Sequence, residues 1–122
     1  MANIIPFSFR GELFSGTHNF ANGGDSFKIA LYTGNPYSTS STAYLTGQEV
    51  SASNTGYTTG GKVLGSQAVA SGTAVASIDF ADSVLTSATF TAAFAAIYND
   101  SKSDKLCVVL DFGGNKTATN GT

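Results

Sequence analysis

Ionic side chains are scarce in this sequence: Lys, Arg, Asp and Glu make up 11% of its 122 residues, less than half the share in an ordinary soluble domain. Six basic and eight acidic residues, scattered singly, leave a formal charge of -2. That excludes the clustered Lys and Arg that a nucleic-acid backbone or an anionic lipid surface attracts, so neither nucleic acid nor membrane is an expected partner. Histidine occurs once, as His18, which rules out paired imidazoles in a metal site or a relay. Cysteine also occurs once, as Cys107. No internal disulfide can form, as suits synthesis in a reducing compartment. The uncharged stretch from Val63 to Ile78 is too rich in Ser, Gly, Thr and Gln to cross a bilayer, which takes about 20 predominantly apolar residues. The start, Met1-Ala-Asn-Ile-Ile-Pro6, has no basic region ahead of an apolar one, so a secretory signal is not expected.

What replaces the charges is Ser, Thr, Asn and Gly, with 14 glycines against two prolines, a mixture that suits strands joined by turns. Hydrophobic residues reach 42% and are spread along most of the chain, which argues against disorder. The length bounds the chain to one domain over residues 1–122, able to bury about two thirds of its unfolded surface. A near-neutral surface also repels its own copies weakly, which favours an assembly component.

Along the chain, Phe9, Leu13, Phe14, Thr17 and Phe20 recur at spacings of three and four, predicting one amino-terminal helix over about 7–20. Pro6 precedes it and Asn22-Gly-Gly24 stops it. Gly11 and Gly16 each weaken it by up to ~1 kcal/mol, so it depends on packing its aromatic face against a sheet. Phe27 to Thr33 alternates, which predicts a strand with Phe27, Ile29 and Leu31 toward the core and Lys28 and Tyr32 on the other side. Gly34 to Thr42 reads as a polar loop, and Tyr44 to Val50 fits either an extended piece or a helical turn. Asn54-Thr-Gly56 and Thr59-Gly-Gly61 are turn signals. After Lys62, Val63, Leu64, Val69, Val75, Ile78 and Phe80 mark two strands joined by a hairpin at Ser71-Gly-Thr73. The second arm should be half-buried, with Ala74, Ala76, Ile78 and Phe80 on one face. Thr86 to Tyr98 has a helical as well as a strand spacing, but its β-branched and aromatic content favours strand. Asn99 to Asp104 is a polar turn. Lys105 to Phe112 should be a strand covered on both sides, with Cys107 and Val109 opposite Leu106, Val108, Leu110 and Phe112. Gly113 to Thr122 reads as a turn toward a further strand that does not arrive. The expected fold is mainly β: an antiparallel β-sandwich, jelly-roll or immunoglobulin-like, of about six to eight strands with the one short helix packed on it.

Reactive chemistry is hard to assemble from these residues. His18 beside Asn19 near a helix end is expected to cap the helix or bond a carbonyl. Cys107, between Leu106 and Val108, has the pattern of a small buried hydrophobe. Asp79, Asp82, Asp100, Asp104 and Asp111 fall in turns or at strand ends without the Asp-x-Asp-x-Asp-Gly loop of a calcium site. Gly23-Gly24, Gly60-Gly61 and Gly113-Gly114 lack phosphate-loop spacing. No catalytic, cofactor-binding or metal-ligating residue is expected, and the chain is not expected to be an enzyme. One binding chemistry stays open: Tyr32, Tyr37, Tyr44 and Tyr57, if exposed, would offer stacking rings to a carbohydrate or host surface.

Five pieces carry a resemblance: Phe9-Arg-Gly-Glu-Leu-Phe-Ser-Gly-Thr-His-Asn-Phe20, Asp25-Ser-Phe-Lys-Ile-Ala-Leu-Tyr-Thr33, Gly56-Tyr-Thr-Thr-Gly-Gly61, Ala96-Ile-Tyr-Asn99 and Val109-Leu-Asp-Phe-Gly113. Together they resemble a family of small structural proteins of tailed bacteriophages. The chain departs from that pattern at its end, where relatives usually continue past Asn120-Gly-Thr122 into a final apolar strand, so an open sheet edge is expected. The resemblance implies a virion protein, auxiliary to the capsid. As a cement or decoration subunit it would bind the outside of the icosahedral head, bridge major capsid subunits and form a homotrimer. A tail or head-tail joining component is the alternative that the same resemblance implies.

Overall fold

The computed structural model describes residues 3–54 and 56–121. Met1, Ala2, Thr55 and Thr122 lie outside the described residues, and with them the middle of the Asn54–Gly56 turn signal and the last residue of the carboxyl-terminal stretch. The elements in chain order are α1 (Phe7–Phe14), β1 (Phe27–Tyr32), β2 (Lys62–Leu64), β3 (Ala68–Ser71), β4 (Ala76–Asp79), β5 (Ala88–Asn99) and β6 (Lys105–Gly121). Pairing is antiparallel throughout. One sheet has the order β2-β1-β5-β6, and β3 and β4 form a separate two-stranded ribbon. The chain is mainly β, with antiparallel sheets and one short helix.

The helix ends six residues before the expected Phe20, because Gly16 closes it rather than weakening its interior. Gly16 has φ +69, its N–H donates to Leu13 O, and Thr17 N–H donates to Glu12 O. That pair of bonds is a Schellman stop, which needs the left-handed conformation that glycine adopts at no steric cost. The expected apolar face also fails as a face. Phe9 packs inward, but Leu13 is exposed and Phe14 is 94% exposed.

β1 is covered on both sides. Phe27 packs with Phe9, Phe20, Phe80 and Cys107, while Ala30 and Tyr32, of opposite parity, pack with Ile4, Tyr37, Tyr98, Leu106 and Val109. Tyr32 is therefore fully buried, not on an open side, because the 34–50 segment lies over its face. That segment is irregular, with turns at Thr39-Ser40 and Gly47-Gln48, and it bridges Tyr32 to Glu49 and Ala43 to Lys105. Alanines at 92, 93, 95 and 96 make β5 thin enough for close cover on either side, and all four are buried. Leu106, Cys107 and Val109 are buried, so β6 is covered on both sides, but Val109 shares a cluster with Leu106 and not with Cys107, because the register shift at Ile97/Tyr98 interrupts the expected alternation.

Two expectations are corrected by the strands. Residues 113–121 are not a turn: they are the outer half of β6 and pair back onto β5, with Lys116 opposite Ala92 and Gly121 opposite Ala88. The pairing moves from Phe94↔Asp111 to Ala92↔Lys116, so the Gly113-Gly114 pair makes a wide bulge inside one strand instead of reversing the chain. The ribbon forms its hairpin, with Gly72 N–H bonded to Val75 O, but every residue of β3 and β4 is exposed. Its second arm is not half-buried, because only Phe80, just beyond it, docks into the core.

Candidate functional site

His18 sits where α1, the 19–25 loop and the end of β5 meet. Its ring lies 5.1 Å from that of Phe9 and 6.1 Å from that of Phe20, centroid to centroid, and its side chain is 0% exposed. The hydrogen-bond directions around it can be derived from one unambiguous donor. Ser101 N–H donates to Asn99 Oδ1 at 3.0 Å, which fixes that amide. Asn99 Nδ2 then donates to His18 Nδ1 and to Asp25 Oδ2, both at 2.9 Å. Nδ1 is thus an acceptor, the ring proton is on Nε2, and Nε2–H donates to Glu12 Oε1 at 2.9 Å. Asp25 also accepts Asn19 N–H and stands 3.7 Å from Lys102 Nζ, as Glu12 stands 3.4 Å from Lys105 Nζ. Burial opposes the charge on Asp25, yet the bonds from Asn99 and Asn19 N–H, with Lys102 nearby, hold its carboxyl below the usual carboxylate value.

His18 is therefore not a helix cap and bonds no carbonyl, which corrects the expectation. The chain turns sharply at Gly16 and carries His18 inward, onto Asn99. With both ring nitrogens committed and the ring enclosed, it has no free position for exchanging a proton with a substrate. Cys107 lies in the same apolar cluster as Phe27 and Phe20. Burial, and then the charges of Glu12 and Asp25, push its thiol up to about 12, so it carries no thiolate at neutral pH. Asp79 and Asp82 are exposed, and Asp100 and Asp104 lie in the β5–β6 turn. Burial and then Asp100 raise the Asp104 carboxyl, while a hydrogen bond from Gly113 N–H lowers that of Asp111. Among the described residues, no group of three or more His, Cys, Asp or Glu side chains is placed to hold a metal ion.

The tyrosines make a second buried network. Tyr32, Tyr37 and Tyr57 are buried, and Tyr44 stacks on Tyr98 at 4.6 Å between centroids. The Glu49 carboxylate accepts the Tyr44 and Tyr57 hydroxyls, each at 2.5 Å, and Gly60 N–H at 2.8 Å. Tyr57 Oη accepts Leu31 N–H, and the Tyr32 and Tyr37 hydroxyls bond each other. Burial and then Glu49 push the Tyr44 and Tyr57 hydroxyls well above the ordinary phenol value. None of these four rings is an open stacking platform, so the carbohydrate-binding expectation loses the residues it rested on. Sequence reasoning passes over Glu12, Asp25, Glu49 and Asn99, which organise both networks. One signal was present: Glu49 is the only carboxylate between Asp25 and Asp79, in a stretch that holds four tyrosines.

The polar chemistry is thus turned inward, and what faces out is apolar. Phe7 and Phe14 project from α1, and Val69 and Val75 from the ribbon or its turn, each more than half exposed. Between the ribbon and the sheet lies an apolar cleft of about 280 Å³ lined by Phe9, Phe20, Ile78, Phe80, Ile97, Cys107 and Val108. It offers contact without a polar anchor, which suits the side chains of another protein better than a small polar ligand. No family model, no curated protein and no solved structure matches this chain.

Proposed function

We propose that the chain is a structural protein of a tailed-bacteriophage virion: a cement or decoration subunit that binds the outside of the head and bridges major capsid subunits, probing them through contact rather than chemistry. The observation that carries this reading is the exposed apolar set on α1 and the ribbon, displayed by a body with so few charges. Side chains such as Phe14, 94% exposed, have little reason to stay in water unless a partner covers them. The motif resemblance supplies the partner, the major capsid protein, and the homotrimer in which copies of this chain would stand at threefold positions. On the same reading, the four-stranded sheet and the ribbon are the halves of a reduced β-sandwich, its ribbon side closed by a neighbour. The protein is made in the host cytoplasm and works on the capsid surface, without a cofactor, nucleic acid or membrane.

Quantifying the chain in purified particles and locating its density tests this. Copies in the hundreds, spread over the head, support the cement role. About six or twelve copies at one vertex, as closed rings require, replace it with the tail or head-tail joining role. A chain absent from mature particles overturns both.

A further inference from the structure

We propose that His18 is an acid-sensitive latch: a second proton on its ring breaks the network that fastens α1 and the 19–25 loop to the β5–β6 turn. The ground for it is the direction of each bond. Ser101 N–H has only a proton to offer, so Asn99 must present Oδ1 to it and Nδ2 to His18. An imidazolium carries a proton on both nitrogens, and its Nδ1–H would face the Asn99 Nδ2 protons, donor against donor. Turning the Asn99 amide over does not repair this. Oδ1 would then stand against Asp25 Oδ2, where Nδ2 now donates, and Nδ2 would stand against Ser101 N–H. Flipping the ring leaves a proton on both nitrogens and changes nothing. Every closed arrangement of the protonated ring leaves like facing like in an enclosed place, where an unmade bond is costly.

The charges around the ring do not offset this. Glu12 faces it from α1 and Asp25 from the 19–25 loop, but Lys105 from β6 pairs with Glu12 and Lys102 from the turn pairs with Asp25. Two carboxylates are balanced by two ammonium groups. Cys107 on β6 is a neutral thiol, Lys28 on β1 pairs with Asp100, and the ribbon residues that line a cleft with His18 are Val69, Ala76, Ser77 and Ile78, none titratable. A doubly protonated ring and the closed network therefore exclude one another, and acid favours opening. α1 is the element set to move. None of its residues is buried; its start is tied to the 34–50 segment, where Phe7 N–H donates to Thr39 O and Ser8 Oγ–H to Ser41 O, so the part that opens is its end, held through Phe9, the Glu12–His18 bond and the Glu12–Lys105 pair. Opening would bare Phe9 and Phe20 beside the apolar cleft.

Because the chain has a single histidine, imidazole NMR signals of the full-length protein are unambiguous. At about pH 7.5 we expect the Nε2–H tautomer. On lowering the pH through the histidine range to about 5, protonation of that ring should coincide with a loss of at least about tenfold in exchange protection. The amides expected to lose it are those of Ser101 and of Ser15 and Thr17 at the end of α1, while those of the central β1–β5 pairing keep theirs. An Nδ1–H tautomer at neutral pH overturns the proposal, and so does a ring that protonates while those amides stay protected. His18→Phe fits the same aromatic surroundings and cannot titrate; if it folds, its α1 amides should lose the response between about pH 7.5 and pH 5. Should that variant fail to fold, the tautomer and the coupled titration of the unaltered chain decide alone.

Discussion

At the scale of single residues, two partly buried carboxylates, Glu49 and Asp25, do different work and predict different variants. Glu49 accepts three hydrogen bonds from two elements' worth of loop. Removing it leaves two phenol hydroxyls and one backbone N–H without their acceptor, and unsatisfied buried groups cost about 1–3 kcal/mol each when solvent cannot reach them. Glu49→Ala should therefore lower unfolding stability in urea by about 3 kcal/mol, and Glu49→Gln by less, since its one carbonyl oxygen still accepts. Asp25 predicts a pH effect. Its carboxyl is held below the ordinary value of 3.8, so the folded state binds that proton less tightly than the unfolded chain. Its contribution is complete above that value and fades as the pH falls through and below it. The stability gap between the natural chain and Asp25→Asn should be constant from neutral pH down to about pH 5 apart from any change in His18, and should close in the acid range below about pH 4. A gap that instead widened in acid would contradict the assigned direction.

At the scale of elements, two glycines with opposite surroundings give opposite expectations. Gly11 lies inside α1 with nothing within 4 Å of where a Cβ would stand, so Gly11→Ala should stabilise by up to about 1 kcal/mol. Gly61 has φ +84, and a Cβ there would stand 1.9 Å from Ile29 O in β1. Gly61→Ala should cost about 3 kcal/mol or more, or prevent folding, because either β2 or β1 must shift. Thermal unfolding of both variants checks the pair. The same contrast explains how far elements are legible in sequence. β1, β5 and the inner half of β6 declare themselves through alternation or β-branched runs, which are local properties. The helix end was hidden because Gly16 reads alike as an interior weakness or as a stop; the bonds from Gly16 and Thr17 decide it, and they form only when the chain after them turns inward. Residues 113–121 were misread for a related reason. A Gly-Gly pair signals a reversal unless a neighbouring strand is already in place, and here β5 runs on to Ala88 and pairs beyond the bulge. The site was less legible than the strands. Nothing near His18 in sequence announces Asn99, which lies 81 positions away.

At the scale of the whole molecule, the distribution of polarity runs opposite to what an isolated monomer would favour. Carboxylates, an imidazole and tyrosine hydroxyls are enclosed and bonded, while Phe7, Phe14, Val69 and Val75 face water. If those side chains meet a partner, their loss should leave folding alone and weaken association. Phe14→Ser removes a ring that is 94% exposed, so unfolding stability should stay within about 0.5 kcal/mol of the natural chain. Phe7→Ser, on the same helix, should behave similarly. Buried aromatic anchors at interfaces carry about 2 kcal/mol or more each, so each serine variant should weaken self-association or binding to heads about thirtyfold. Sedimentation of the isolated chain tests self-association, and co-sedimentation with bacteriophage heads lacking it tests the partner that the proposed cement role requires. A large stability loss in Phe14→Ser would place that ring inside the monomer's own packing. Unchanged association in both variants would move the interface away from α1, leaving the ribbon, with Val69 and Val75, as the surface through which the molecule meets its neighbours.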